Sequence, residues 1–179
     1  MEDNAHLHGR VKSILYSLAG ITLTENKDIM IANRLHKLKR DSHFPGGLEE
    51  LLDRVEKGEY VTEFINSFTT NKTHFFREVF HFEDMRDRVL PEFANSNKEI
   101  KMYCSASSTG EEPYSMAMTV FEVAKKLHSS IRASIIATDI DTNVLKYAQN
   151  GIYRFSKSSK EFPDWIKPQN YFQRRVQQG

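Results

Sequence analysis

The sequence predicts an α/β protein, with a small helical bundle at the N-terminus followed by strands and helices in alternation. Residues 5–69 carry apolar residues at helical spacing and no strand pattern. "IKMYCS" at 100–105 is a strand candidate, and "ASIIAT" at 133–138 is a short apolar run rich in β-branched residues, read as a second, buried strand. A helical stretch follows each run, an order that implies parallel strands with a right-handed crossover.

The elements follow in turn. Leu7, Val11, Leu15 and Leu18 mark the inner stripe of a first helix, and Gly20 supplies its stop. Thr24 is placed to cap a second helix, with Ile31, Leu35 and Leu38 inward. "FPGG" at 44–47 breaks the pattern, and "LEELLDRVEKG" and "EYVTEFINSF" give two more short amphipathic helices. The character changes at "TTNKTHFFRE", residues 69–78, so the domain boundary is set between residues 1–69 and 70–179. A helix is expected from about Phe80 to Phe93, ended near Pro91. Pro113 suits the first turn of a helix whose inner face is Met116, Val120, Ala124 and Leu127. "TNVLKYAQNG" forms a last helix, stopped by Gly151, and the aromatic tail from Ile152 shows no periodicity.

Composition narrows the function. A net charge of +1 in 179 residues gives no global basicity for nucleic acid, and no basic stripe with interleaved aromatics is present. No run approaches the ~18 apolar residues of a membrane span. The single cysteine, Cys104, cannot close an internal disulfide, and no secretory leader is visible, which together predict a cytoplasmic protein. The seven histidines show no ligand spacing, so no metal is predicted.

The chemistry concentrates in "CSASSTGEEPYSMAM", residues 104–118, a strand running through a tight turn into a helix. Such turns ordinarily hold phosphate on free N–H groups and the helix dipole. Here Glu111 and Glu112 open the helix, and the turn has neither a full G-x-G-x-x-G nor a P-loop lysine. Each carboxylate would repel a nearby phosphate by about 4 kcal/mol at an effective dielectric of ~20. Asp139, in "TDID" at the tip of the second strand, is an acceptor of the kind that takes ribose hydroxyls. A phosphate-free adenosine compound carrying positive charge, such as S-adenosylmethionine, satisfies all of these constraints. The alternative reading is that Glu111 and Glu112 only offset the helix dipole.

"STGEEPYSMAM", "TTNKTHFFRE" and "TDIDTNVLKYAQNGIY" together resemble the CheR-type chemotaxis receptor methyltransferases, in the family's order and over nearly the whole chain. The resemblance implies a helical domain joined to a Rossmann-like methyltransferase domain, the cofactor S-adenosyl-L-methionine, and methylation of glutamate side chains on chemoreceptors. It implies cofactor contacts from Asn71, Thr73, Arg77, Glu112 and Asp139, with Glu112 at the methionine part and Asp139 at the ribose. Arg77 becomes the candidate catalytic residue, holding the substrate glutamate as a carboxylate. Otherwise Arg77 is a surface ion pair with Glu78 or Glu83, and Asn71 and Thr73 shape a turn. Arg34, Lys37, Lys39 and Arg40 form the basic helix expected to dock the acidic methylation helices of receptors, unless they are only a solvated face.

In the family the sheet continues beyond the position of Tyr171 and Phe172, so the chain is expected to hold only the first half of that domain. The expected consequence is an unfinished sheet that invites pairing as a homodimer. A non-catalytic module binding receptor or cofactor is the alternative function.

Overall fold

The computed structural model describes residues 2–96, 98–154 and 161–173; the rest of the aromatic tail lies outside them. The chain divides into two compact units, Met1–Thr70 with Ile140–Asn143, and Asn71–Asp139 with Val144–Gly179.

The first unit is helical: α1 (Glu2–Ala19), a 3-10 turn (Glu25–Lys27), α2 (Asp28–Asp41), α3 (Leu48–Glu56) and α4 (Val61–Phe68). α1 ends where the sequence predicts, with Gly20 at φ +66° donating its N–H to Tyr16 O at 2.9 Å. Only a glycine or a strained residue takes that left-handed position. Leu7, Val11, Ile14 and Leu15 are buried; Leu18, expected inward, is 40% exposed, and Ile14 takes its place in the stripe. Thr24 makes no capping hydrogen bond, because Asn26 leaves helical geometry (φ −85°, ψ 32°) and α2 begins only at Asp28. Ile31, Leu35 and Leu38 then meet Leu51, Leu52, Val55, Phe64 and Phe68 in one core. Polar contacts brace it: Arg10 on α1 pairs with Glu49, Asp53 (2.8 Å) and Glu56 (2.7 Å) on α3, which raises the guanidinium pKa further. Buried Asp141 accepts from the Thr69 hydroxyl at 2.7 Å.

In the second unit the helix starting at Phe80 has the predicted extent but changes type. α5 (Phe80–Asp84) passes into a π turn (Met85–Val89) and a 3-10 turn (Leu90–Phe93). Pro91 has no N–H to give an α-type bond, so the pattern shifts around it. β1 (Glu99–Ser105) and β2 (Arg132–Thr138) pair in parallel, Ile100 opposite Ala133 and Cys104 opposite Ala137, with α6 (Glu111–Lys126) as the crossover and α7 (Thr142–Asn150) next. α7 ends at Gly151, φ +61°.

Strand residues alternate between faces. Ile100 packs with Val120 and Val123 of α6, while Tyr103 and Ile136, register partners on the opposite face, are 64% and 62% exposed. β2 is therefore not the buried strand the sequence predicts. Among the described residues the sheet has two strands, so both are edges and one face is open. α6 buries Ser115, Met118, Thr119, Val120 and Val123 rather than the predicted single stripe, and Leu127 is 40% exposed. The reason is that α6 serves two cores: Val120 and Val123 face the sheet, whereas Met116 and Met118 join an aromatic cluster of Phe75, Phe76, Phe82 and Trp165. No helix among the described residues is long and apolar enough to cross a membrane.

Candidate cofactor site

The site grows from the chain that leaves β1. Ser107 N–H extends the ladder to Thr138 O at 2.8 Å, and Gly110 N–H closes a turn onto Ser107 O at 3.0 Å. Along this turn the backbone is left-handed at Ala106 (φ +54°), Ser108 (φ +49°) and Gly110 (φ +98°). Each non-glycine residue held there costs of order 1–2 kcal/mol, so surrounding contacts must fix the turn. At Gly110 an added Cβ would stand 2.7 Å from both the Ala148 Cβ and the Tyr153 hydroxyl oxygen. This glycine answers both to backbone sign and to close approach.

Two braces hold the turn. The Tyr153 hydroxyl donates to Thr109 O at 2.6 Å, and its ring lies 4.9 Å from that of Phe75. On the other side Asp139 Oδ2, at the tip of β2, accepts the Ser108 N–H at 2.8 Å. A carboxylate one strand away is thereby hydrogen-bonded to the turn that β1 enters.

The acids set the local potential. Glu112 is exposed on the first turn of α6, and Asp139 is half-buried. Cys104, near the end of β1 and only 1% exposed, feels both carboxylates. Burial pushes its thiol up to about 12, and the carboxylates of Glu112, close enough to accept the thiol hydrogen, and of Asp139 add to the shift. Burial is the larger cause, and the two carboxylates, one at the start of α6 and one at the tip of β2, add negative charge that favours a cation and disfavours phosphate. Burial and the neighbouring Glu111 charge push the Tyr153 hydroxyl upward as well.

The segment carrying Asn71, Thr73 and Arg77 lies against this turn. Ser108 Oγ donates to Asn71 O at 3.1 Å, and the Arg77 guanidinium donates to Lys72 O at 3.2 Å, folding the segment on itself. Asn71 and Thr73 are half-buried and Arg77 is exposed. Among the described residues no ion pair joins Arg77 to Glu78 or Glu83, and Arg77 lies between left-handed Phe76 (φ +53°) and Glu78 (φ +55°). Five predicted residues, Asn71, Thr73, Arg77, Glu112 and Asp139, thus fall on one loop, one helix start and one strand tip of a single unit.

Residues 71–179 match the family described as "CheR methyltransferase, SAM binding domain". The chain belongs to the CheR methyltransferase family. It is similar to the chemotaxis protein methyltransferase of Escherichia coli strain K12, 37% identical over 175 residues, covering 96% of this chain and 58% of that one. The chemotaxis protein methyltransferase of Salmonella typhimurium strain LT2 is 37% identical, covering 96% and 57%. A probable chemotaxis protein methyltransferase of Rhizobium etli is 39% identical over 145 residues, 78% of this chain and 54% of that one. The chain thus spans about half the length of the curated relatives it matches. The two-stranded parallel sheet is part of a Rossmann-like methyltransferase fold, and the helical unit precedes it in the chain. Its cofactor is S-adenosyl-L-methionine, and the acid-lined turn without a phosphate-binding lysine fits that cation.

The basic residues of α2 belong to the first unit. Arg34 is half-buried and donates to Thr69 O at 2.9 Å and Thr70 Oγ1 at 3.4 Å. Arg40 meets Asp41 at 3.5 Å; Lys37 is exposed and Lys39 half-buried. An open groove of about 500 Å³ is lined by His36, Lys39, Arg40, His43 and Phe44. Nothing in the sequence pointed to Ser115 or to the role of Tyr153. The "GIY" containing Tyr153 was visible, but nothing in the sequence says that its hydroxyl reaches Thr109.

Proposed function

We propose that the intact protein transfers a methyl group from S-adenosylmethionine to glutamate side chains of chemoreceptors, forming glutamyl methyl esters. The observation that carries this reading is the acid-lined turn itself: Asp139 Oδ2 accepts the Ser108 N–H at 2.8 Å, and Glu111 and Glu112 open the helix that follows. When bound, the cofactor supplies a methyl group activated by a sulfonium. Asp139 accepts ribose hydroxyls while still holding Ser108 N–H, and Glu112 receives the ammonium of the methionine part. Asn71, whose backbone carbonyl accepts the Ser108 hydroxyl, and Thr73 are assigned to the same cofactor site. Arg77, exposed and tethered through one nitrogen, presents its remaining donors to the substrate carboxylate, keeping it ionised and aimed. No general base is required of the chain, because a carboxylate is already the nucleophile; alignment is its contribution. Arg34, Lys37, Lys39 and Arg40 are assigned to docking the acidic methylation helices of the receptor, and the protein acts in the cytoplasm, without inserting in the membrane or binding nucleic acid.

Calorimetric titration with S-adenosylhomocysteine, comparing this chain with Asp139→Ala, tests the site. Loss of hydrogen bonds to a charged acceptor, of order 1.5–3 kcal/mol, weakens binding by about tenfold or more. Equal affinity of the two chains would remove Asp139 from the site. A second reading, a module that binds cofactor or receptor without catalysis and associates as a homodimer, is favoured by the open face of Tyr103 and Ile136. Sedimentation as a monomer at all concentrations would count against that dimer.

A further inference from the structure

The Arg77 loop touches the turn at one end through Ser108 and Asn71; its other end rests on Ser115. Ser115 is fully buried on α6, one helical turn after Glu111. Its hydroxyl donates to Glu111 O at 2.6 Å and accepts Phe76 N–H at 3.0 Å. A serine hydroxyl has one donor and two acceptor sites, so one oxygen serves both partners at once. Phe76 is the left-handed residue directly before Arg77, its ring is sunk beside Phe82 and Trp165, and its N–H is buried. Without Ser115 that N–H loses its acceptor, and a strained residue loses a contact that holds it.

We propose that Ser115 is a positioning residue: its hydroxyl seats the Phe76–Glu78 loop against the first turn of the cofactor helix and so sets where Arg77 stands relative to Glu112. This rests on the placing of Arg77 in the site argued above. Thr119 supplies an internal control. It is equally buried and sits one turn further along α6, and its hydroxyl donates to Ser115 O at 2.8 Å without reaching the loop. General weakening of α6 would follow from changing either residue; displacement of the loop follows only from changing Ser115.

The experiment compares Ser115→Ala, Ser115→Cys and Thr119→Val in the full chain by residue-resolved amide hydrogen exchange and by calorimetry with S-adenosylhomocysteine. Ser115→Ala is expected to speed exchange within 75–78 by about tenfold, with β1 and β2 unchanged. It is also expected to weaken S-adenosylhomocysteine by about tenfold, whereas in an Arg77→Ala background the same change alters affinity less than about twofold. Ser115→Cys, which keeps a weak donor and acceptor, lies between, and serves should the alanine variant fail to fold. Thr119→Val leaves exchange at 75–78 as it was. Unchanged exchange there in Ser115→Ala, or additive effects with Arg77→Ala, overturns the proposal. If the unaltered chain binds no S-adenosylhomocysteine, the reading of the site fails, and exchange alone decides whether Ser115 seats the loop.

Discussion

Replacing Glu112 with Gln removes one negative charge beside the Cys104 thiol while keeping an acceptor oxygen near it. Burial, the largest cause, together with the Glu112 and Asp139 carboxylates pushes the thiol from its ordinary 9.0 up to about 12. Each unit of fall corresponds to about 1.4 kcal/mol of interaction between thiolate and carboxylate. Because Cys104 is the only cysteine, thiolate absorbance and alkylation rate against pH read this one group. The midpoint should move down from about 12 in Glu112→Gln, with alkylation at pH 9 about tenfold faster for each unit it falls. Asp139→Asn should move it in the same direction by less, since Asp139 is the smaller contributor. A midpoint unchanged within about 0.3 unit in Glu112→Gln would mean that this carboxylate does not face the end of β1. The electrostatic argument for a cationic ligand would fall with it.

Gly110→Ala combines a left-handed backbone with 2.7 Å approaches to Ala148 and Tyr153, and should cost about 2–4 kcal/mol in urea denaturation. Gly151→Ala, at φ +61° and no closer than 3.4 Å to Tyr114, should cost only about 1–2 kcal/mol. Arg10→Ala leaves Glu49, Asp53 and Glu56 unneutralised at the α1–α3 contact; about 1–2 kcal/mol should be lost, less at 1 M salt. Because the folded Cys104 pKa is raised, its contribution is fully present below about pH 9 and is lost as pH rises from 9 towards 12. Cys104→Ala should therefore show a shallower decline of stability across that window, and an identical decline would contradict the burial of the thiol.

Much of the fold was legible because local rules and tertiary demands agree. Gly20 and Gly151 end helices where backbone sign requires a glycine, and both strands lie within one residue of their expected starts. Legibility failed where one element answers to two surroundings. α6 packs on both the sheet and an aromatic cluster, so no single stripe describes it. β2 reads as buried from its apolar, β-branched residues, but the extent of its cover depends on neighbouring strands, which local sequence does not encode. In the site, the acids at the start of α6 and at the tip of β2 could be seen from turn chemistry. The contacts of the serines could not: Ser108 and Ser115 meet backbone groups of a loop more than 30 residues away in sequence. Left-handed Phe76, Glu78, Ala106 and Ser108 are equally invisible, since none is a residue type that announces that conformation.

The central claim, that acids at the start of α6 and at the tip of β2 select a positively charged adenosine compound without phosphate, is tested most directly by titrating the chain with S-adenosylmethionine and with ATP at the same ionic strength. Saturable binding of S-adenosylmethionine, weakened by about tenfold or more in both Glu112→Gln and Asp139→Ala, with no binding of ATP, is the expected result. Binding of ATP as tight as that of S-adenosylmethionine, or indifference of both variants, would contradict it.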